Sequence, residues 1–183
     1  MALTYSKPLD PDFTCPDFEL PVTRGGMVGS QFFKNSGRPF LIAFICNHCP
    51  YVQAIEKRLI ALSYLLERLQ IGFLAISSND ARQYPEDSFE QMKAKNYPFL
   101  YAYDETQIVA KKFEAVCTPD FYLFNKKGKL RYRGRLDDSW KDANLVTRQE
   151  LLEAAILLIA QDDLPPDFKV HPSMGCSLKW KDG

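Results

Sequence analysis

Two cysteines separated by two residues form the pattern in this sequence that most directly suggests chemistry. They are Cys46 and Cys49, in the segment F-I-C-N-H-C-P at 44–50. Thiols at this spacing either cycle between dithiol and disulfide or bind a metal ion. A structural zinc site generally needs a second ligand pair at a matching spacing, and the remaining cysteines and His171 do not form one. The pattern therefore favours redox chemistry, with zinc binding and an inert pair as the alternatives.

The segments on either side of the pair place it between a buried strand and a helix. Residues 39–46 are short and almost continuously apolar, which is typical of a strand buried on both faces. After Pro50, apolar residues recur at helical spacing. The positive end of such a helix lowers the pKa of a nearby thiol. We expect Cys46 to be the exposed nucleophile and Cys49 the more buried resolving thiol.

Asn47 and His48 occupy the two positions between the cysteines. A protonated His48 would stabilise the Cys46 thiolate, and a more stable thiolate makes the disulfide more oxidising. We therefore predict that His48, together with Asn47, tunes the pair or contacts its substrate. In the alternative interpretation, His48 faces solvent and only completes the turn.

Composition and charge restrict the classes of function. A chain of 183 residues fits one domain with a sizeable core. Lys plus Arg and Asp plus Glu both count 23, so the balance gives no support for nucleic acid or an anionic membrane as partner. The apolar runs are far shorter than the roughly 20 residues that a membrane-spanning helix needs. The first residues lack the pattern of a secretory signal, so we expect a cytoplasmic protein. No cofactor and no metal ion are expected.

The order of apolar segments predicts an α/β fold. An N-terminal extension with two short apolar pieces, at 13–20 and 27–33, is expected to form a strand pair. The order β-α-β-α-β-α-β-β-α follows, which implies a mixed central sheet covered by helices on both faces. One of these helices is predicted over 87–95, where Asp87 and Glu90 have the spacing of a capping box. Three further helices and five strands are placed as follows: helices from 50, over 104–113 and over 147–160; strands over 39–46, 73–77, 99–103, 120–124 and 129–135.

The domain prediction is a single domain over 1–183. Its core spans about 13–160, and Pro165-Pro166 ends the regular structure. The residues from about 165 to 183 are predicted to form an irregular tail.

Several segments together resemble the thioredoxin superfamily, specifically the redoxin branch related to the alkyl hydroperoxide reductase/thiol-specific antioxidant family. The resemblance runs from about residue 13 to residue 160. It is carried by F-I-C-N-H-C-P-Y-V at 44–52, A-I-S-S-N-D at 75–80, Y-D-E-T-Q-I-V-A-K-K-F at 103–113 and C-T-P-D-F-Y-L-F at 117–124. The tail at 172–181 is also similar to that of uncharacterised thioredoxin-family proteins with a C-N-H-C-P motif.

The resemblance implies a cis proline facing the active-site disulfide, and Thr118-Pro119 matches that place. The backbone before such a proline can pair with a bound peptide. In the alternative interpretation Pro119 is an ordinary trans proline at the start of a strand. The chain also departs from the family. Ile45 stands where thioredoxin has a Trp. Peroxiredoxins have a Thr or Ser three residues before the peroxide-reactive cysteine, and neither Cys46 nor Cys49 has one. This absence weakens the peroxidase hypothesis.

The other cysteines have open roles. Cys117 is two residues before Pro119, so it could accept a disulfide from the pair, or it could be a small buried residue. Cys176 could fold back over the site as a third redox thiol, or it could pack with Trp180 against the domain. For Cys15 we predict no role beyond packing.

The favoured function is a thiol–disulfide oxidoreductase that exchanges disulfides with protein thiols through Cys46 and Cys49. A thioredoxin or glutathione system is a candidate partner. The alternatives are a thiol-dependent peroxidase on the same fold and a non-catalytic redox-sensing module.

Overall fold

A computed structural model describes residues 3–10 and 12–181 of the chain. Residues 1, 2, 11, 182 and 183, which the predicted domain includes, lie outside the described residues. Ten strands run through the described part: β1 Leu3–Tyr5, β2 Glu19–Pro21, β3 Met27–Gly29, β4 Phe40–Phe44, β5 Gly72–Ser77, β6 Leu100–Tyr103, β7 Cys117–Thr118, β8 Asp120–Phe124, β9 Leu130–Gly134 and β10 Met174–Ser177. The α-helices of the same part are α1 Ser30–Lys34, α2 Pro50–Arg68, α3 Phe89–Ala94, α4 Ile108–Lys112 and α5 Glu150–Gln161.

The central sheet has five strands in the order β6-β5-β4-β8-β9. Strand β4 pairs in parallel with β5, and β5 pairs in parallel with β6. On the other side, β8 pairs antiparallel with both β4 and β9. The predicted α/β fold with a mixed central sheet is therefore confirmed, and the sheet places the end of β4 at its centre.

Both faces of this sheet are buried. Alternate residues of β4 point to opposite faces, as the pleat of a strand requires. Leu41 and Ala43 pack in a cluster with apolar residues of α2 and α5. Phe40, Ile42 and Phe44 pack in a second cluster with residues of α1, α4 and the N-terminal extension. This double burial explains the continuous apolar run in the sequence and fixes the position of the residues that follow β4.

The predicted strand pair in the N-terminal extension is β2 with β3, which pair antiparallel. The remaining strand of this region, β1, is paired with the other end of the chain. Three predicted helices begin later than their capping patterns indicate, at Phe89, Ile108 and Glu150. The Asp87 carboxylate does not cap α3, because it accepts the backbone N–H of Asn47 instead.

The prediction of an irregular C-terminal tail is wrong for part of its length. Strand β10 lies between β1 and β7 in a separate three-stranded antiparallel sheet. The four residues of β10 include a glycine, so their own sequence gives little indication of a strand. Strand β10 forms because β1 and β7 supply backbone partners on both of its edges, and these neighbours are distant in sequence.

No helix in residues 3–10 and 12–181 combines the length and the apolar character needed to cross a membrane.

Candidate active site

The two cysteines lie where β4 meets α2. Ile45 still donates its N–H to the carbonyl of Ile76 in β5, and Cys46 begins the turn that follows. Cys49 is the residue immediately before α2, and Pro50 is the first helical residue. Proline suits this position because the first N–H groups of a helix have no partner within it. Cys49 is therefore held at the positive end of a 19-residue helix.

Thr118 faces both sulfur atoms from strand β7. Its hydroxyl oxygen lies 3.3 Å from the Cys46 sulfur, and the Cys49 thiol, when protonated, donates to its carbonyl oxygen at 3.2 Å. The peptide bond from Thr118 to Pro119 is cis. Strand β7 and the turn that holds the cysteines, which are about 70 residues apart in sequence, are thus in contact at the cysteine pair.

Neither cysteine is accessible to solvent. Cys46 is 1% exposed and Cys49 is 0% exposed, so the expectation of an exposed Cys46 is wrong for this arrangement. The cause lies in the C-terminal tail and β7, which pack over the turn. Cys176 of β10 belongs to the same buried cluster as the two cysteines.

The ionisation of the pair depends on the hydrogen bonds that the two thiols make. A hydrogen bond from the Cys46 thiol lowers the pKa of Cys49 to about 5, against the effect of burial. The backbone N–H of Val52, the Thr118 side chain and the Cys176 thiol lower this pKa further. The same hydrogen bond to Cys49, together with burial and the Asp87 charge, raises the pKa of Cys46. Because the two thiols share a proton through this hydrogen bond, the contacts stabilise a single thiolate within the pair at the start of α2.

Asp87 holds the turn between the cysteines, a role that the sequence did not indicate. Its Oδ1 atom accepts the backbone N–H of Asn47 at 2.7 Å and that of His48 at 3.1 Å. Its Oδ2 atom accepts His48 Nδ1 at 2.5 Å and the Asn79 amide at 2.8 Å. Burial would raise the pKa of Asp87, but these hydrogen bonds and the His48 charge lower it on balance. A lone Asp outside the motif gives no signal in the sequence for this role.

His48 is packed into the site and does not face solvent. Its side chain is 10% exposed, and its ring stacks on Tyr84 with the centroids 4.6 Å apart. The hydrogen bond to Asp87 raises the pKa of His48, as does the charge of Cys49. Because such coupling is reciprocal, a protonated His48 stabilises the Cys49 thiolate.

Asn47 is a structural link in the turn. Its amide donates to the Glu86 carbonyl at 2.8 Å, and its Oδ1 accepts the Tyr101 hydroxyl at 3.2 Å. Gln53 of α2 donates to its carbonyl oxygen at 2.9 Å. These bonds connect the turn to α2, to β6 and to the segment that carries Asp87.

The same group contains a candidate set of metal ligands. Among the described residues, ligand atoms of Cys46, His48 and Asp87 lie within 4.8 Å of one another. Both oxygens of Asp87 already accept two hydrogen bonds each, and one of these comes from His48 Nδ1. The geometry therefore suits Asp87 to orienting His48 rather than to holding an ion.

The other three cysteines lie in three different environments. Cys176 is 2% exposed, and its thiol is hydrogen-bonded to Cys49. Cys117 is fully buried, and its pKa is raised by burial and by the Asp120 charge. Because alternate residues of a strand point to opposite faces, Cys117 faces away from the pair when Thr118 faces it. Cys15 packs in the cluster on the other face of the central sheet.

A groove with a volume of about 370 Å³ lies beside the site. Pro119 and Met174 form its edge nearest the cysteines, and Tyr51 and Trp140 form an aromatic wall with their ring centroids 4.7 Å apart. Trp140 is 45% exposed. The groove offers an apolar surface next to the covered dithiol.

The mixed sheet, the cysteine pair at the end of β4 and the proline loop facing it define a thioredoxin-like redoxin. Residues 12–133, more than half of the chain, match the AhpC/TSA family. The chain belongs to this family.

Solved structures support the same fold. The chain is 41% identical to an uncharacterized conserved protein from Geobacillus kaustophilus, with a TM-score of 0.91 over 100% of this chain and 98% of that one. It is 32% identical to a hypothetical protein from Sinorhizobium meliloti 1021, with a TM-score of 0.89 over 98% and 100% of the two chains. The thioredoxin domain of a thiol-disulfide oxidoreductase from Bacteroides vulgatus is 17% identical, with a TM-score of 0.55 over 67% of this chain and 86% of that domain, and shows the fold alone. No curated protein matches the chain.

Proposed function

We propose that this protein is a thiol–disulfide oxidoreductase that exchanges disulfides with protein partners through Cys46 and Cys49. The observation that carries the proposal is the buried dithiol at the start of α2, which Thr118 contacts at both sulfur atoms and in which the pKa of Cys49 is lowered while that of Cys46 is raised. An ionised thiol beside a protonated one is the state from which disulfide exchange proceeds.

The exchange has two steps. The Cys49 thiolate attacks one sulfur of a partner disulfide, which forms a mixed disulfide and releases the other partner sulfur as a thiolate. Cys46 then loses its proton to that thiolate and attacks the Cys49 sulfur. The partner leaves with both of its sulfurs reduced, and the protein holds a Cys46–Cys49 disulfide. This order of attack is the reverse of the one predicted from the sequence, and trapping of a mixed disulfide distinguishes the two.

A protein partner suits the surroundings of the pair. The β7 edge at Thr118 accepts an antiparallel strand, which β10 occupies in this structure. A partner segment that replaced β10 would have its backbone paired at this edge and would also contact the apolar groove beside Pro119. The proposal requires β10 to separate from β7 during exchange. A thioredoxin or glutathione system would supply the electrons.

Insulin reduction with dithiothreitol tests the activity. The wild-type protein is expected to accelerate it, and Cys49→Ser and the double variant Cys46→Ser/Cys176→Ser are each expected to abolish the acceleration. Cys117→Ser is the matched control, because its thiol is equally buried and faces away from the pair. Equal rates with and without wild-type protein would contradict the proposal.

Trapping tests the order of attack. In the variant Cys46→Ser/Cys176→Ser, Cys49 has no thiol neighbour to resolve a mixed disulfide. We expect this variant to accumulate a partner on Cys49, and Cys49→Ser to accumulate none. Accumulation on Cys46 in Cys49→Ser would restore the order predicted from the sequence.

Thiol-dependent peroxide reduction is the second candidate. The Thr118 hydroxyl, 3.3 Å from the Cys46 sulfur, supplies a hydroxyl group that the sequence lacks three residues before either cysteine. In this reaction the Cys49 thiolate takes one oxygen from the peroxide and becomes a sulfenic acid, and Cys46 then forms the disulfide with loss of water. Peroxide consumption coupled to a thioredoxin system separates this activity from disulfide exchange. Failure of both assays would favour a redox-sensing module.

A further inference from the structure

Strand β10 lies against the active site in the manner of a bound peptide. It pairs antiparallel with β7, with Cys176 opposite Thr118 and Ser177 opposite Cys117. Thr118 is the residue whose hydroxyl and carbonyl contact the two active-site sulfurs. The register therefore brings Cys176 to the level of the pair, on the same face of the sheet as the Thr118 side chain.

The approach of β10 to this edge depends on Gly175. A Cβ atom added at Gly175 would lie 1.9 Å from the Thr118 carbonyl oxygen, and no side chain could relieve this contact because the opposing atom is backbone. The tail thus has its smallest residue where it passes closest to β7. This close fit seats the next residue, Cys176, in the cluster formed with Cys46 and Cys49.

Hydrogen bonds beyond β10 hold the tail in this place. The N–H of Lys179 donates to the Asn79 side chain at 2.9 Å, and Asn79 in turn donates to Asp87. Gln107 donates to the Lys179 carbonyl at 2.8 Å and accepts the Lys181 N–H at 2.8 Å. The tail is therefore tied to the same carboxylate that holds the turn between the active-site cysteines.

We propose that Cys176 is a third redox cysteine, which forms a disulfide with Cys49 while β10 remains paired with β7. The proposal rests on the proposed function, which supplies the Cys46–Cys49 disulfide. The Cys176 thiolate attacks the Cys49 sulfur, the Cys46–Cys49 bond breaks, and Cys46 leaves and takes up the proton that Cys176 has lost. The step exchanges one disulfide for another and needs no further oxidant.

The state of the pair controls whether Cys176 can react. In the reduced protein, burial, the hydrogen bond to Cys49 and the charge of Cys49 raise the pKa of Cys176 to about 12. In the Cys46–Cys49 disulfide the Cys49 sulfur carries no charge, so two of these three effects are removed. The Lys179 charge, which lowers this pKa, remains. Oxidation of the pair therefore lowers the pKa of Cys176, while burial still raises it.

A Cys49–Cys176 disulfide would produce a covalently closed form of the protein. It would hold β10 on the edge of β7 with which a partner strand would pair. The protein could then accept a new partner only after a small thiol had reduced this bond. Cys176 thus links the oxidised state of the pair to occupation of the binding edge.

Disulfide mapping tests the proposal. Reduced protein is treated with oxidised glutathione, remaining thiols are alkylated under denaturing conditions, and the disulfides are identified by mass spectrometry without reduction. We expect wild type to show Cys49–Cys176 beside Cys46–Cys49. In Cys46→Ser, where the competing bond cannot form, Cys49–Cys176 is expected in the majority of molecules.

A matched control moves the thiol by one residue. In Cys46→Ser/Cys176→Ser/Ser177→Cys, the new thiol belongs to the opposite face of β10. We expect its cross-link to Cys49 to be at least tenfold less abundant than that of Cys176 in Cys46→Ser. Comparable yields would mean that the tail is loose and that β10 does not direct the reaction, which would overturn the proposal.

The variant Cys176→Ser separates this proposal from the proposed function. If Cys176→Ser forms the Cys46–Cys49 disulfide and reduces insulin, while Cys46→Ser shows only a glutathione adduct on Cys49, the third redox cysteine is overturned and the oxidoreductase stands. If wild type and Cys176→Ser both form no Cys46–Cys49 disulfide and reduce no insulin, the proposed function itself fails, and the third redox cysteine fails with it.

Discussion

Asp87 Oδ2 and His48 Nδ1 are 2.5 Å apart, and the carboxylate that makes this contact is completely buried. Asp87 also accepts the backbone N–H groups of Asn47 and His48. One side chain thus fixes both the path of the turn and the orientation of the imidazole. The charge on His48 in turn acts on Cys49. Two of the predictions below follow from this relationship.

The first prediction concerns Asp87→Asn. Loss of the carboxylate removes the main cause that raises the pKa of His48, so this pKa is expected to fall, as measured by NMR titration of the imidazole. The variant is also expected to lose about 1.5–3 kcal/mol of stability, the usual contribution of a hydrogen bond to a charged group. Glu86→Gln removes an exposed charge from the adjacent residue and should change neither quantity. An unchanged His48 titration in Asp87→Asn would contradict the assigned pairing.

The pH dependence of this stability loss has a defined sign. Because the folded-state pKa of His48 is raised, its contribution is complete below the unfolded value of about 6.5 and is lost as pH rises through the folded value. Because the pKa of Asp87 is lowered, the contribution of the carboxylate is lost as pH falls through its folded value. The difference in stability between reduced wild type and Asp87→Asn, measured by urea unfolding, should therefore be largest in the mildly acidic range and should narrow, without vanishing, at higher pH.

The second prediction concerns the reduction potential. A protonated His48 stabilises the Cys49 thiolate, which exists only in the reduced protein, so His48→Ala should lower the reduction potential of the pair. The expected fall is on the order of tens of millivolts, since 30 mV corresponds to about 1.4 kcal/mol. His171→Ala is the matched control, because His171 forms a similar ion pair with Glu150. A potential that stays constant in His48→Ala at mildly acidic pH, measured by equilibration with glutathione, would show that His48 does not tune the pair.

The third prediction assigns the ionised sulfur. Ultraviolet absorbance of the thiolate in reduced wild type should rise with a midpoint near pH 5. Cys49→Ser should remove this transition. Cys46→Ser should move it to higher pH, because the Cys46 thiol is the largest cause of the lowered pKa of Cys49. A transition that survives in Cys49→Ser would identify Cys46 as the ionised cysteine instead.

The fourth prediction concerns the groove beside Pro119. Trp140→Ala removes part of its aromatic wall without touching the cysteines, so it should raise the KM for a protein disulfide several-fold. The rate with a small aromatic disulfide should stay within about twofold of wild type. Phe32→Ala, which removes a highly exposed aromatic side chain on α1, serves as the control. Equal losses on both substrates would mean that Trp140 supports the site itself and not partner binding.

Much of the fold follows from local patterns. The apolar run at 39–46 predicts β4 because a strand buried on both faces has no polar side, and the helical spacing after Pro50 predicts α2. Helix starts were less predictable. Asp87 and Glu90 have the spacing of a capping box, but a buried carboxylate bonds to whichever donors the tertiary structure brings near it, and these were the N–H groups at 47 and 48.

The sequence alone determined the class of the protein and predicted redox chemistry for its pair, because two thiols between a buried strand and a helix start can be recognised from spacing and periodicity. Only the tertiary structure decided which contacts stabilise a thiolate within the pair and what covers it. The pKa of Cys49 depends on Cys46, Thr118 and Cys176, and two of these three belong to distant segments. Strand β10 exists because β1 and β7 pair with it. Electrostatic and backbone interactions of this kind depend on distance in space, which the order of residues does not record.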